Sequence, residues 1–171
     1  MQEGTVMSEQ AATGPSASAE LLAGLRALGE QLAFNRHLDV GVEELEVGRC
    51  VTRLPANDRL ANHVGSVHAI AELAPVELAG AMAASSRLAV LLEQGLVPVV
   101  GRLEVRYAAP AWGDLLATAE VGEQAVAAAL ADLEQRRRPR VEVEVQVTDA
   151  AGTVVAVAQV RFVFVDTSAP D

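Results

Sequence analysis

The sequence predicts an α+β fold, an antiparallel curved sheet of about six strands wrapped around one long central helix, with an extra helix at the N-terminal side. Three observations carry this. From Ala69 to Gln94 apolar and small residues run nearly all the way round a helix, interrupted only by Glu72, Glu77, Arg87 and Glu93, and a helix without a polar face belongs in the interior. The segments on either side of it alternate apolar and polar residues with a period of two, the pattern of strands with one buried and one wet face. Between those strands stand Gly48, Gly113-Asp114 and Asp149-Ala150-Ala151-Gly152, which supply the turn chemistry of short antiparallel connections.

In chain order, residues 1–17 are polar, small and patternless, which predicts a disordered tail ahead of a single domain over residues 18–171. Ser18 is the expected N-cap of a helix over Ala19 to Phe34, with Leu21, Leu22, Leu25, Leu28 and Leu32 in one stripe. Leu38 to Pro55 reads as a hairpin around Gly48, with Val40, Val42, Leu45 and Val47 before the turn and Cys50, Val51, Thr52 and Leu54 after it. A polar loop over residues 56–65 then enters the central helix. Gly95 is its natural left-handed terminator, with Pro98 beyond. Pro75 is awkward inside that helix, because it removes a backbone hydrogen bond and crowds the preceding turn; either the first turns kink or the regular helix starts later.

Past Gly95, Leu103, Val105 and Tyr107 alternate with Arg102, Glu104 and Arg106, predicting one buried and one wet face. Pro110 and Gly113-Asp114 separate this strand from one beginning at Leu115. Residues 123–135 are Ala-rich and predict a short helix, which ends at Arg136-Arg137-Arg138-Pro139-Arg140. Val141, Val143, Val145 and Val147 then alternate with Glu142, Glu144, Gln146 and Thr148, and the chain returns over Thr153 to Val165 as a long hairpin.

Composition narrows the function. The 171 residues are 51% hydrophobic, ample for one core. A net charge of −10 and 3% aromatic content argue against nucleic-acid binding, which needs a basic face or stacking platforms. Glu77 and Arg87 spoil any membrane-spanning reading of the helical run, and the N-terminus lacks a basic region followed by an apolar one. A lone cysteine, Cys50, excludes an intrachain disulfide framework and points to a reducing cytoplasm. No metal-ligand spacing, phosphate loop or Ser-His-Asp arrangement is visible.

Two features at the helix start point to chemistry. Asn62, His63, Gly65 and His68 gather where the helix begins, and a helix start offers unpaired N–H groups and partial positive charge to an oxyanion or polarised carbonyl. Further in stands Glu77, between Val76 and Leu78. A carboxylate in such surroundings is paired, protonated or used. Glu72, nearer the helix start, is expected to be structural.

These residues carry a resemblance. Asn62, Gly65 and His68, with an acid nine positions after the histidine at Glu77, are similar to the N-x-x-G-x-x-H-G-G loop and following acid of phenylacetate-type thioesterases. Tyr107, Pro110, Ala111, Gly113 and Asp114 resemble the Y-x-x-P-A and Gly-Asp run that precedes the fourth strand in the same hotdog-fold thioesterase superfamily. His68-Ala69-Ile70 in place of His-Gly-Gly looks more like the group known as the DUF4442 domain, and its Cβ atoms narrow the approach of a ligand to the backbone. The resemblance covers roughly residues 38–165.

It implies a hotdog fold that hydrolyses an acyl thioester, CoA or the phosphopantetheine of an acyl carrier protein being part of the substrate and no separate cofactor being needed. The Ala69 amide, with Gly65 shaping the loop, would polarise the carbonyl; Glu77 would serve as general base or nucleophile. Asn62 would orient water or carbonyl, and His68 would hydrogen-bond loop or substrate. The partners implied are a small-molecule acyl thioester and a second copy of the chain, as a homodimer or a dimer of dimers. Glu77 and the loop would meet from different subunits, in keeping with nine helical residues placing His68 and Glu77 about half a turn apart. Arg136, Arg137, Arg138 and Arg140 are candidates to grip the phosphates of CoA, since guanidinium groups match phosphate bidentately. The alternatives are a non-catalytic acyl-CoA-binding or assembly module and, third, a dehydratase-type thioester enzyme.

Overall fold

The computed structural model describes residues 19–167; the tail expected over residues 1–17 and the Ser18 cap lie outside the described residues. The strands are β1 (Gly41–Glu46), β2 (Arg49–Leu54), β3 (Leu96–Tyr107), β4 (Leu115–Glu120), β5 (Arg140–Thr148) and β6 (Val154–Asp166). All pair antiparallel in a single six-stranded sheet of order β1-β2-β4-β5-β6-β3. The helices are α1 (Ala19–Gln31), α2 (Ala33–Leu38), α3 (Leu73–Arg87), α4 (Ala89–Glu93) and α5 (Glu123–Glu134).

The valine alternation of β5 does what its period demands: Val141, Val143, Val145 and Val147 are buried while Glu142, Glu144 and Gln146 face solvent. Against this face lies α3, in which every residue from Ala74 to Ser86 is buried except Glu77. Its closest approach to the sheet is at Gly80, where a Cβ would stand 2.7 Å from the buried Phe162 ring of β6. Hydroxyls fix both ends of the helix. Thr52 on β2 donates to the Pro75 carbonyl (2.7 Å), and Ser86 accepts from the Gly48 N–H at the β1–β2 turn (3.0 Å).

One boundary settles the alternative left open at Pro75, and two differ from the sequence expectation. The regular central helix begins at Leu73, so Pro75 falls in its first turn, where a missing N–H leaves no helical bond unmade. Residues 68–72 form a tight turn instead, with the Ala71 and Glu72 N–H groups both donating to the His68 carbonyl. The half-turn offset between His68 and Glu77 therefore does not hold as a helical phase. At the other end the helix breaks at the buried Leu88 (φ −109°, ψ 38°), and α4 carries the chain to Gly95, which ends it with φ +78° as expected. The N-terminal helix stops at Gln31 and restarts at Ala33. Only Leu25 of the five stripe leucines is buried, and α1 seats on the core through Gly29, close against Leu78 and Met82.

β3 is the other departure. It pairs with β6 alone and is an edge strand, so Val97, Val99, Val100 and Tyr107 stay 37–41% exposed and only Leu103 and Val105 are half-buried on the face expected inside. Replacing Gly80 by valine forces a side chain into the fully buried Phe162 ring. Gly80→Val is expected to lower unfolding stability by about 1–3 kcal/mol in urea titrations.

Candidate functional site

The loop entering α3 is held by hydrogen bonds within itself and by tethers from the segment over Tyr107 to Asp114. Asn62 Oδ1 accepts from the Val64 N–H (2.9 Å), and its Nδ2 donates to Ser66 Oγ (2.8 Å) and the Val67 carbonyl (3.3 Å). Gly65 takes φ +88°, a conformation that suits glycine, and its N–H donates to the Asn62 carbonyl. The Asn62 amide is thus committed to the shape of the loop.

The second sequence motif meets the first here. The Ala111 carbonyl accepts from the Val67 N–H (3.0 Å), and the Tyr107 hydroxyl donates to the Ala69 carbonyl (2.7 Å). Asp114 closes the arrangement by accepting from the Ala56 N–H (2.9 Å) and from Arg53, and these donors hold its carboxyl below the usual range. Tyr107, Ala111 and Asp114 are therefore the clamp on the loop.

What that clamp leaves unpaired defines the site. Among the described residues, every backbone N–H from Val67 to Ala74 has an acceptor except that of Ala69. The Ile70 N–H, which a second helix-start donor would require, is taken by His68 Nδ1 (3.1 Å), and His68 is otherwise exposed. Ala69 lines a cavity of about 340 Å³ together with Asn62, Ser66, Glu72, Tyr107 and an apolar wall that includes Val64, Val67 and Ala109. Neither His68 nor Glu77 is among its walls.

Glu72, read from the sequence as structural, is the cavity's one buried acid. It is only 3% exposed and its Oε2 has no hydrogen-bond partner. Local geometry explains this. Glu72 occupies the N-cap position of α3 but makes no side-chain cap, because the Ala74 N–H already bonds the Ala71 carbonyl and Pro75 has no N–H to give. Burial pushes the Glu72 carboxyl up to about 7. Burial, and after it the Glu72 charge, likewise push the Tyr107 hydroxyl up. The sequence signal for Glu72 was the proline three residues on, which removes a donor that an N-cap acid would use.

Glu77 is half-buried on α3, makes no hydrogen bond or ion pair among the described residues, and is raised by burial. His63 is exposed. The arginine cluster divides. Arg137 and Arg140 bracket Asp132, at 2.8 Å and 3.3 Å from their Nε atoms, and these hydrogen bonds, Arg137 first, hold Asp132 low. Arg136 and Arg138 line, with Arg137, a cavity of about 730 Å³ beside Leu96 and the end of β6. That is the opposite end of β3 from Tyr107, on the order of 35 Å away along the strand. Within one chain the arginines and Ala69 are not brought together.

A sheet of this order folded over a buried helix is a hotdog fold, and known structures share it. A protein of unknown function from Pseudomonas aeruginosa, described as a probable thioesterase, is 25% identical over 83% of this chain and 93% of its own, with a TM-score of 0.69. The PaaI protein of the phenylacetic acid degradation operon of E. coli is 17% identical over 86% and 96% (TM-score 0.66). A thioesterase from Haemophilus influenzae is 16% identical over 85% and 90% (TM-score 0.65). No curated protein matches the chain. The sequence profile of the domain of unknown function DUF4442 matches residues 25–164, and the chain belongs to that family.

The buried acid has a pH signature. A carboxyl whose folded-state value is raised holds its proton more tightly folded than unfolded, so its stabilising contribution is complete below its ordinary 4.5 and is lost as pH rises to about 7. Glu72→Gln is therefore expected to gain stability on the wild type across that window, by up to about 3 kcal/mol in urea unfolding at stepped pH.

Proposed function

We propose that this protein hydrolyses an acyl thioester, carried on CoA or on an acyl carrier protein, at a site completed by two copies of the chain. The observation that carries this reading is the Ala69 N–H, alone among those from Val67 to Ala74 in having no acceptor among the described residues, on a residue that lines a cavity whose loop is held by Asn62, Tyr107 and Ala111. A fixed donor of this kind polarises a thioester carbonyl and then stabilises the oxyanion, with no reorganisation during the reaction. Gly65 shapes the turn that presents it. His68 removes the neighbouring Ile70 amide from play, so one donor does the work.

Glu77 takes the general-base role. Between Ala74 and Ser86 it is the one residue of α3 that is not buried, it has no hydrogen bond or ion pair among the described residues, and it is a stronger base than an ordinary carboxylate because burial disfavours its charge. It accepts a proton from water as the water oxygen bonds to the carbonyl carbon. Collapse of the tetrahedral intermediate breaks the C–S bond, and the proton leaves with the thiol. Direct attack by Glu77, forming an anhydride that water then opens, is the other route for the same residue.

Glu77 does not line its own chain's Ala69 cavity, so the reading calls for a second copy, and β3 is suited to receive one. It is an unpaired edge carrying exposed Val97, Val99 and Val100. Antiparallel pairing of two β3 strands about a twofold axis sets the Leu96 end of one against the Tyr107 end of the other. The Arg136 and Arg138 cavity of one copy then lies toward the Ala69 cavity of the other, where the phosphates of a CoA thioester would extend. The reading places the reaction in the cytoplasm, in keeping with a chain whose lone cysteine, Cys50, is a buried free thiol.

A non-catalytic acyl-binding module is the second reading, favoured by the engagement of the Ile70 amide, which leaves one donor where two would hold an oxyanion more firmly. Free-thiol release from a panel of acyl-CoAs separates the two. Turnover is expected, with Glu77→Gln lowering kcat by about 10²–10⁴-fold at unchanged fold; an equally fast Glu77→Gln removes the mechanism. In sedimentation the wild type is expected to be at least dimeric. Val99→Lys is expected to yield monomers that fold but have lost most hydrolysis.

A further inference from the structure

Independently of the thioester chemistry above, we propose that α1 is a guard on the β1 edge: its Arg26 guanidinium occupies carbonyls that another strand would use, so that copies of the chain join at β3 and not at β1. An open sheet has two edges, and each is a template for pairing with another chain. Here the edges are β1 and β3. They are built differently. β3 runs for 12 residues with Val97, Val99 and Val100 exposed, and it pairs with β6 alone. β1 is 6 residues long, with Glu43, Glu44 and Glu46 exposed on it, and α1 packs against it.

The contact from α1 is specific. Arg26 Nη1 donates to the Val42 carbonyl and Nη2 to the Glu43 carbonyl (3.0 Å). In a regular antiparallel strand successive carbonyls point to opposite sides, so an edge offers only every second one. The ladder between β1 and β2 shifts between Val42 and Glu44, leaving Glu43 without a partner on β2, and at this bulge one guanidinium fork reaches two consecutive carbonyls. A strand arriving at β1 finds those acceptors taken. The exposed glutamates add repulsion between two such edges. This also accounts for a helix that contributes little to the core. Over its 13 residues α1 buries only Leu25 and Gly29. Gly29, close against Leu78 and Met82, sets the helix down where Arg26, about one turn earlier, reaches the edge, and Glu30 stands 3.7 Å from the same guanidinium.

The test uses the full chain as wild type, R26M, V99K and V99K/R26M, since methionine keeps an unbranched stem and loses the fork. Sedimentation velocity over rising concentration, in about 1 M salt to screen the β1 glutamates, is read together with amide hydrogen exchange at β1 and far-UV circular dichroism. R26M is expected to keep the wild-type fold and to add mass reversibly with concentration, first to roughly twice the wild-type value, its β1 amides slowing as it does so. V99K/R26M is expected to convert the V99K monomer into a dimer whose slowed amides lie in β1. Variants that sediment as their parents do at every concentration overturn the assignment, and so does a wild type whose own β1 amides slow on association. Mass gained irreversibly, or only with loss of the helical signal, shows that Arg26 holds the fold and not the edge, and also overturns it. A wild type that sediments as a monomer removes the β3 pairing of the thioester reading and leaves this comparison standing, with R26M then expected to dimerise at β1.

Discussion

The contact between Gly80 of α3 and the Phe162 ring of β6 sets the height of the central helix above the sheet, and the site inherits its geometry from that height. A helix of alanine, glycine and serine can lie close because it has little side chain to interpose, and the valines of β5 fill the remaining space. Thr52 and Ser86 then fix its two ends against β2 and the β1–β2 turn. The turn over residues 68–72 is presented as the packing leaves it.

Within that turn the arrangement is one of nearly complete saturation. Helix starts ordinarily expose several amide donors at once. Here Ala71, Glu72, Leu73 and Ala74 donate to carbonyls one short turn back, Ile70 donates to a histidine ring, and Pro75 has no donor. One amide, at Ala69, and one carboxyl oxygen, at Glu72, remain unmatched, and both residues line the same cavity.

Charge and exposure around the sheet follow a different logic. Arg137 and Arg140 neutralise Asp132, while Arg136, Arg137 and Arg138 line a separate cavity, so the four arginines from 136 to 140 are shared between an ion pair and a cavity wall. At the β3 edge exposed valines stand where a sheet would continue. An edge left apolar and unpaired is a hazard for a solitary chain and an advantage for one that meets its own copy.

Much of this was legible in the residues themselves. The buried helix, the hairpins and the turn at Gly48 follow from periodicity and glycine placement, because side-chain direction repeats with backbone geometry and burial selects for it. The Asn62, Gly65 and His68 spacing marked the loop for the same local reason. Pro75 left a kinked start and a later start both open, and the structure takes the later one; the break at Leu88 and the edge position of β3 were not legible, since each depends on what lies across the fold: a core that accepts the buried Leu88 between two helices, and a sheet order that leaves β3 without a second neighbour. Sequence alone determined which acids and amides the chain possesses. Only the tertiary structure decided which remain unpaired, because a hydrogen bond is made by whatever the fold brings within about 3 Å of the donor.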